Sequence, residues 1–260
     1  MCLLVLTIDM HDEYPLIVAA NRDEFYQRPT KRAHFWSDGS EVFAGRDEER
    51  GGTWLGVTNK GRFAAVTNVR EPINETETKE YISRGDLVKV FLQSNHSAKD
   101  YMETIAKNKD DYQGFNLIVK EGKEIYYYSN RIDAPKKLHK GTYVLSNATL
   151  NVEWPKTNTL KENVSVLLKQ SLDKDQLING LIEQLQNKTK YDEHDLPVTG
   201  VGRETERLLS TVFITSETYG TRASTVVLEK SSEDFCFVEQ GYGPNGIKEH
   251  RVVQHVLVKY

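Results

Sequence analysis

Near the start of the chain, Cys2 to Ile8 (CLLVLTI) is a short apolar run with β-branched residues, closed by Asp9. Such a run reads as a buried β-strand, and it constrains the fold because a strand buried this early needs partners on both sides. It lacks the basic leader and the longer apolar core of a secretory signal. Tyr14-Pro15 then turns the chain, and Leu16 to Ala20 reads as the hairpin partner. The second run stops abruptly at Asn21-Arg22-Asp23-Glu24, where four polar residues follow five apolar ones. A strand that runs from the core into a polar cluster often ends in a site.

Further along, Gln27 to Gly52 is charged and reads as loop, followed by strands at Thr53–Val57 and Arg62–Asn68 about a Thr58-Asn59-Lys60-Gly61 turn. Ser83 to Asn108 reads as helix. Ser83 and Asp86 form an N-cap pair, Leu87, Val88, Phe91 and Leu92 form one stripe, and a second helix begins after Ser97. A hairpin at Phe115–Lys120 and Glu124–Ser129, a short strand at Tyr143–Ser146, and helices at Thr159–Gln170 and Lys174–Lys188 follow. The last quarter returns to strands at Thr211–Thr215, Ser224–Glu229, Phe235–Val238 and Val252–Val258. Strands, then helices, then strands indicate an α+β fold with segregated layers, and without repeats or linkers residues 1–260 are expected to form a single domain.

Composition narrows the partners. The net charge is −4, with Lys and Arg scattered among Asp and Glu, so no basic stripe is available to a nucleic acid. No stretch approaches the ~18 apolar residues of a membrane span, so no integral membrane segment is expected. Two cysteines, Cys2 and Cys236, are too few for a disulfide framework and fit a reducing, cytoplasmic setting. No histidine or cysteine has a partner at zinc spacing, so no metal site is expected. Gly200-Val201-Gly202 lacks the strand and third glycine of a phosphate loop. No cofactor is expected, and the sequence sets no oligomeric state.

Cys2 is the first candidate for chemistry. Methionine is trimmed before residues as small as cysteine, and trimming leaves a free α-amine on the residue that carries the thiol. The amine and thiol titrate near ~8 and ~8.5, so one can serve as general base for the other. The alternatives are a small hydrophobe opening a buried strand or a thiol awaiting palmitate. Asn21-Arg22-Asp23-Glu24 closes the expected partner strand, so Asp23 can anchor the amine and Arg22 can favour the thiolate. Strand alternation sends Asn21 and Asp23 to one face and Arg22 and Glu24 to the other.

Met1-Cys2, Ala19-Ala20-Asn21-Arg22-Asp23-Glu24-Phe25 and Gly51-Gly52-Thr53-Trp54-Leu55-Gly56 together resemble the NRDE family, also called the transport-and-Golgi-organisation family. Asn59-Lys60-Gly61 with Thr67-Asn68, Leu145-Ser146-Asn147 and Tyr219-Gly220-Thr221-Arg222 extend the resemblance over most of the chain. The same anchors are distantly similar to the conjugated-bile-acid and penicillin-V amidases, which are cysteine N-terminal-nucleophile hydrolases. That resemblance implies a four-layer αββα sandwich with Cys2 as nucleophile. It also implies Asp23 at the amine, Asn68 as oxyanion donor, Asn147 as a second holder of the amine or oxyanion, and Arg222 as charge support. Asn21, Arg22, Glu24 and Trp54 are the expected binding residues. In those amidases an Arg precedes the Asp by three positions; here Ala20 stands there and Arg22 is adjacent. The implied function is hydrolysis of a small amide or acyl (thio)ester. The alternative is a non-catalytic carrier of haem or acyl-CoA/lipid on the same fold, so the partner in either case is a small molecule.

Overall fold

The computed structural model describes residues 3–72 and 79–259; Cys2, the expected nucleophile, lies outside them. Among the described residues, thirteen strands form two antiparallel sheets. The first half of the chain gives β1 (Leu3–Ile8), β2 (Leu16–Phe25), β3 (Thr30–Phe35), β4 (Val42–Asp47), β5 (Leu55–Thr58) and β6 (Phe63–Asn68). After helices α1 (Arg84–Gln93) and α2 (Ala98–Lys107) come β7 (Phe115–Glu121), β8 (Glu124–Ser129), β9 (Lys136–Lys137) and β10 (Gly141–Leu145). Helices α3 (Pro155–Leu167), α4 (Lys174–Leu185) and α5 (Arg203–Leu208) precede β11 (Tyr219–Glu229), β12 (Phe235–Tyr242) and β13 (Lys248–Val256).

One sheet has the order β10-β1-β2-β11-β12-β13 and the other β3-β4-β5-β6-β7-β8-β9. Three apolar cores separate four layers. Even-numbered residues of β1 and β2 (Leu4, Leu6, Leu16, Val18) face Leu55, Val57, Phe63 and Ile118 of the other sheet. The odd-numbered Leu3, Val5, Ile17 and Ala19 face Leu160, Leu177, Leu181 and Leu185 of α3 and α4. On the far side, Val66, Leu117 and Val119 meet Leu87, Phe91 and Met102 of α1 and α2. The expected αββα sandwich is present. Because the central strands are covered on both faces, they read as unbroken apolar runs; all six residues of β1 are buried.

Several elements differ from expectation. The charged Gln27–Gly52 region holds β3 and β4, and of β3's TKRAHF only Ala33 is buried, so its edge position masks the strand signal. Thr211–Thr215 is not a strand. Phe213 and Ile214 are buried, but their N–H groups donate to the Asn187 carbonyl and Thr221 Oγ1, both at 2.9 Å, rather than to a ladder. Helix α3 starts earlier than expected, at Pro155, a residue suited to the first helical turn because its missing N–H would have no partner there. The glycine at 61, at φ 71°, closes the expected turn with its N–H on the Thr58 carbonyl at 3.2 Å.

Candidate functional site

The polar tetrapeptide does not follow β2; it belongs to it. Strand β11 pairs with β2 from Glu229↔Leu16 to Tyr219↔Phe25, holding Asn21-Arg22-Asp23-Glu24 in extended backbone. Leu3, the residue bonded to Cys2, pairs with Asn21. Alternation then divides the four side chains as expected.

Asn21 and Asp23 face the helical layer. Asn21 Nδ2 donates to the carbonyls of Leu185 and Val212, each at 2.8 Å, and its Oδ1 accepts from Ser224 Oγ at 2.6 Å. Leu185 ends α4, so Asn21 satisfies one of the carbonyls that a helix end leaves without an intrahelical partner. Asp23 Oδ1 accepts from Thr221 Oγ1 at 2.7 Å. Thr221, a partner the sequence did not single out, sits in the quoted Tyr-Gly-Thr-Arg block.

Arg22 and Glu24 face a crevice of about 280 Å³ at one end of the gap between the sheets. Arg22 is 4% exposed and lies over the Trp54 ring, 4.3 Å from its centroid. Trp54 can lie there because Gly45 has no side chain; a Cβ at that position would overlap the indole. Gly52 is equally constrained, since a Cβ would stand 2.7 Å from the Gly85 carbonyl carbon. The Gly-Gly-Thr-Trp loop thereby packs on the start of α1, with the Thr53 N–H on the Gly85 carbonyl at 3.3 Å. Ser83 caps that helix as expected, its Oγ accepting from the Gly85 N–H at 3.3 Å.

A group of crevice residues went unread in the sequence: Arg28, Asp47, Glu49, Arg50 and Arg84. The signal for the first four was their concentration in the charged Gln27–Gly52 segment, read as loop, whereas Arg84 lies at the start of an expected helix. Arg28 Nε and Nη2 hold Asp47 Oδ2 at 2.9 and 2.7 Å, and Nη1 reaches Glu49 at 3.4 Å. Burial alone would raise the Asp47 pKa, but Arg28 and the N–H groups of Arg50 and Glu49 outweigh it and hold the carboxyl below its ordinary range. Burial lowers the Arg22 pKa to about 10, with Glu24 opposing and Arg222 and Arg28 adding to the effect.

Asn68 ends β6 and lines the crevice. Asn147 does not line it. Its Nδ2 donates to the Asn68 carbonyl at 3.1 Å, and its Oδ1 accepts from Arg70 at 3.4 Å. Arg70 is in turn paired with buried Glu206 at 2.6 Å. Arg222, at the bulge between Thr221 and Ala223, donates to the carbonyls of Phe25 and Arg28. It braces the turn that presents Arg28. The structure thus gathers Arg22, Glu24, Trp54 and Asn68 around one crevice, while Asn21, Asp23, Asn147 and Arg222 support its walls. Elsewhere, Asp192, His194 and Asp195 bring ligand atoms within 4.8 Å of one another, all exposed and outside the crevice lining. Among the described residues no helix is long and apolar enough to cross a membrane.

Residues 1–244 match the Transport and Golgi organisation 2 (TANGO2) family. The chain belongs to that family. It is 34% identical to the Transport and Golgi organization 2 homolog of Mus musculus, and the match covers 92% of each chain. It is 36% identical to the Homo sapiens homolog, again over 92% of each, and 27% identical to the Drosophila melanogaster protein over 95% of each. Among solved structures, the fold is similar to the Caenorhabditis elegans ortholog of N-acylethanolamine-hydrolyzing acid amidase, with TM-score 0.50, 14% identity, and 87% of this chain and 92% of that one covered. It is also similar to a mutant conjugated bile acid hydrolase from Clostridium perfringens, with TM-score 0.50, 10% identity, and 98% and 92% covered. These neighbours share the N-terminal-nucleophile hydrolase fold.

Proposed function

We propose that this TANGO2-family chain works as one domain, a cysteine hydrolase of the N-terminal-nucleophile type acting on a small amide or an acyl (thio)ester. The observation that carries the reading is the crevice at the end of β2, where Leu3 pairs with Asn21 and Arg22, Trp54 and Asn68 converge. The reaction class comes from the two fold neighbours, whose names describe an amidase and a bile acid hydrolase.

With Met1 removed, the Cys2 sulfur attacks the substrate carbonyl and its α-amine takes the thiol proton. The amine then returns that proton to the leaving nitrogen, oxygen or sulfur as the tetrahedral adduct collapses to an acyl-thioester, which water hydrolyses. Asn68 supplies an uncharged amide to the oxyanion, a contribution on the order of 3 kcal/mol. Asn147 acts through Asn68, holding its backbone from the bend that follows β10. Cys236 has no part: it is buried, and burial pushes its thiol pKa up.

The test uses protein expressed without an N-terminal tag and a panel of acyl amides, thioesters, acyl-CoA and haem. Intact mass should begin at Cys2, and an acyl adduct should appear on Cys2 alone. Cys2→Ser should abolish that adduct, and Asn68→Ala should slow turnover on the order of 10²-fold with little change in ground-state binding. Tight binding of haem or acyl-CoA that survives Cys2→Ser, without cleavage, would establish a carrier instead.

A further inference from the structure

Arg22 bears a charge that the described residues pair incompletely. Its nearest carboxylate, Glu24, stands 4.0 Å from Nη2, beyond hydrogen-bond reach, and Nη1 has no acceptor among the described residues. Native proteins seldom leave a buried N–H without an acceptor, and a buried cation without a partner is expensive by several kcal/mol. The acids nearby are already engaged. Arg28 holds Asp47 at 2.7 Å and Glu49 at 3.4 Å, and it approaches Glu24 at 3.8 Å.

The opposite wall is the first turn of α1, with Ser83, Arg84 and Gly85 lining the crevice. A helix N-terminus is the positive end of the macrodipole and favours anions. Four arginines against three carboxylates line the crevice, in a chain whose net charge is −4. The crevice is therefore positive where the protein as a whole is negative.

We infer that the crevice binds an anionic group, a carboxylate or a phosphate monoester, whose oxygens complete the Arg22 guanidinium and face the first turn of α1. Trp54 holds the guanidinium plane, so its fork meets two oxygens together. Anion binding stands on this geometry alone. That the anion belongs to a substrate rests on the proposed function, and it then narrows the substrate to an acyl compound bearing an acid group.

Isothermal titration with phenylacetate, phenyl phosphate and the neutral phenylacetamide tests the inference. At least one anion should bind wild type about 10-fold or more tighter than the amide, and comparison of the two anions identifies the acid. Arg22→Gln should erase the preference. Glu24→Gln, which removes the competing carboxylate, should strengthen anion binding by about 3-fold. If Arg22→Gln fails to fold, the wild-type preference and the Glu24→Gln gain still decide. Equal affinity for all three ligands, or a preference that neither variant moves, would overturn the inference. Anion preference without acylation of Cys2 keeps the anion site and removes the hydrolase. Acylation without the preference does the reverse.

Discussion

The gap between the two sheets has two ends, and each holds a buried cation. At one end Lys120 of β7 reaches Glu229 of β11 at 2.6 Å and also approaches the Gly61 carbonyl at 3.3 Å. At the other, Arg22 has Glu24 at 4.0 Å and an Nη1 with no acceptor among the described residues. Glu229 pairs with Leu16 of β2, so six residues of that strand, ~20 Å at ~3.3 Å each, separate the two sites. Cavity size does not tell them apart, because the Lys120 end opens on about 290 Å³ and the Arg22 end on about 280 Å³. Pairing does. The Lys120–Glu229 pair is complete within the protein and ties one sheet to the other, whereas Arg22 awaits something from outside.

Single substitutions should separate the ends most sharply. Lys120→Met leaves Glu229 buried without its partner and should cost about 3–5 kcal/mol of stability in a denaturant titration. Arg22→Gln removes a buried charge that is already under-paired and should leave stability unchanged or raise it. A loss at Arg22 as large as that at Lys120 would make both pairs structural and end the contrast.

A smaller effect is expected where glycine shapes the crevice. Gly45→Ala drives a methyl into the Trp54 ring and should cost about 1–3 kcal/mol, with a shift in indole emission as the platform under Arg22 moves. Unchanged emission and stability would show that Trp54 is held by something other than the space at Gly45.

Acidity should give the smallest difference, with opposite signs at the two ends. Burial raises the Glu229 pKa above its ordinary 4.5 despite Lys120, so between 4.5 and the raised value the folded state holds more protons than the unfolded. Stability from this group therefore falls as pH rises through that window. Asp47 sits below its ordinary 3.8, so its contribution is present above 3.8 and is lost as pH falls through the lowered value. Melting temperatures from pH 3 to ~7 should show Glu229→Gln flattening the upper slope and Asp47→Asn the lower. Slopes unchanged in both variants would contradict the assignment.

The residues reveal some of this architecture and conceal the rest for identifiable reasons. Apolar runs at Leu3–Ile8 and Leu16–Ala20 announce β1 and the start of β2, and the stripe Leu177-Ile178-Leu181-Ile182-Leu185 announces α4, because burial on a given face writes itself into local sequence. The continuation of β2 through Glu24 is invisible locally, since its hydrogen bonds come from β11, some 200 positions away (198 from Asp23 to Thr221). Strand β3 is hidden by its polar edge, and the apolar Val212-Phe213-Ile214 misleads because burial there is achieved without a ladder. In the site, alternation separates Asn21 and Asp23 from Arg22 and Glu24 correctly. Arg28, Asp47 and Arg84 escape notice because only the fold brings an irregular turn, a strand end and a helix start together.

The separation between β2 and β11 has a consequence during synthesis. Asn21 meets Ser224 across 203 positions, so β2 emerges from the ribosome long before the strand that will cover its flank. At ~5–20 residues per second, that delay is on the order of 10–40 s. Throughout it, Leu16 to Ala20 present an open apolar edge of the kind that recruits other chains. A nascent polypeptide stalled before Tyr219 would lack the β11 flank that holds Arg22 and Asp23 in the strand. The crevice therefore matures only once β11 has been made, which places the greatest aggregation hazard and the onset of any activity at opposite ends of the same delay.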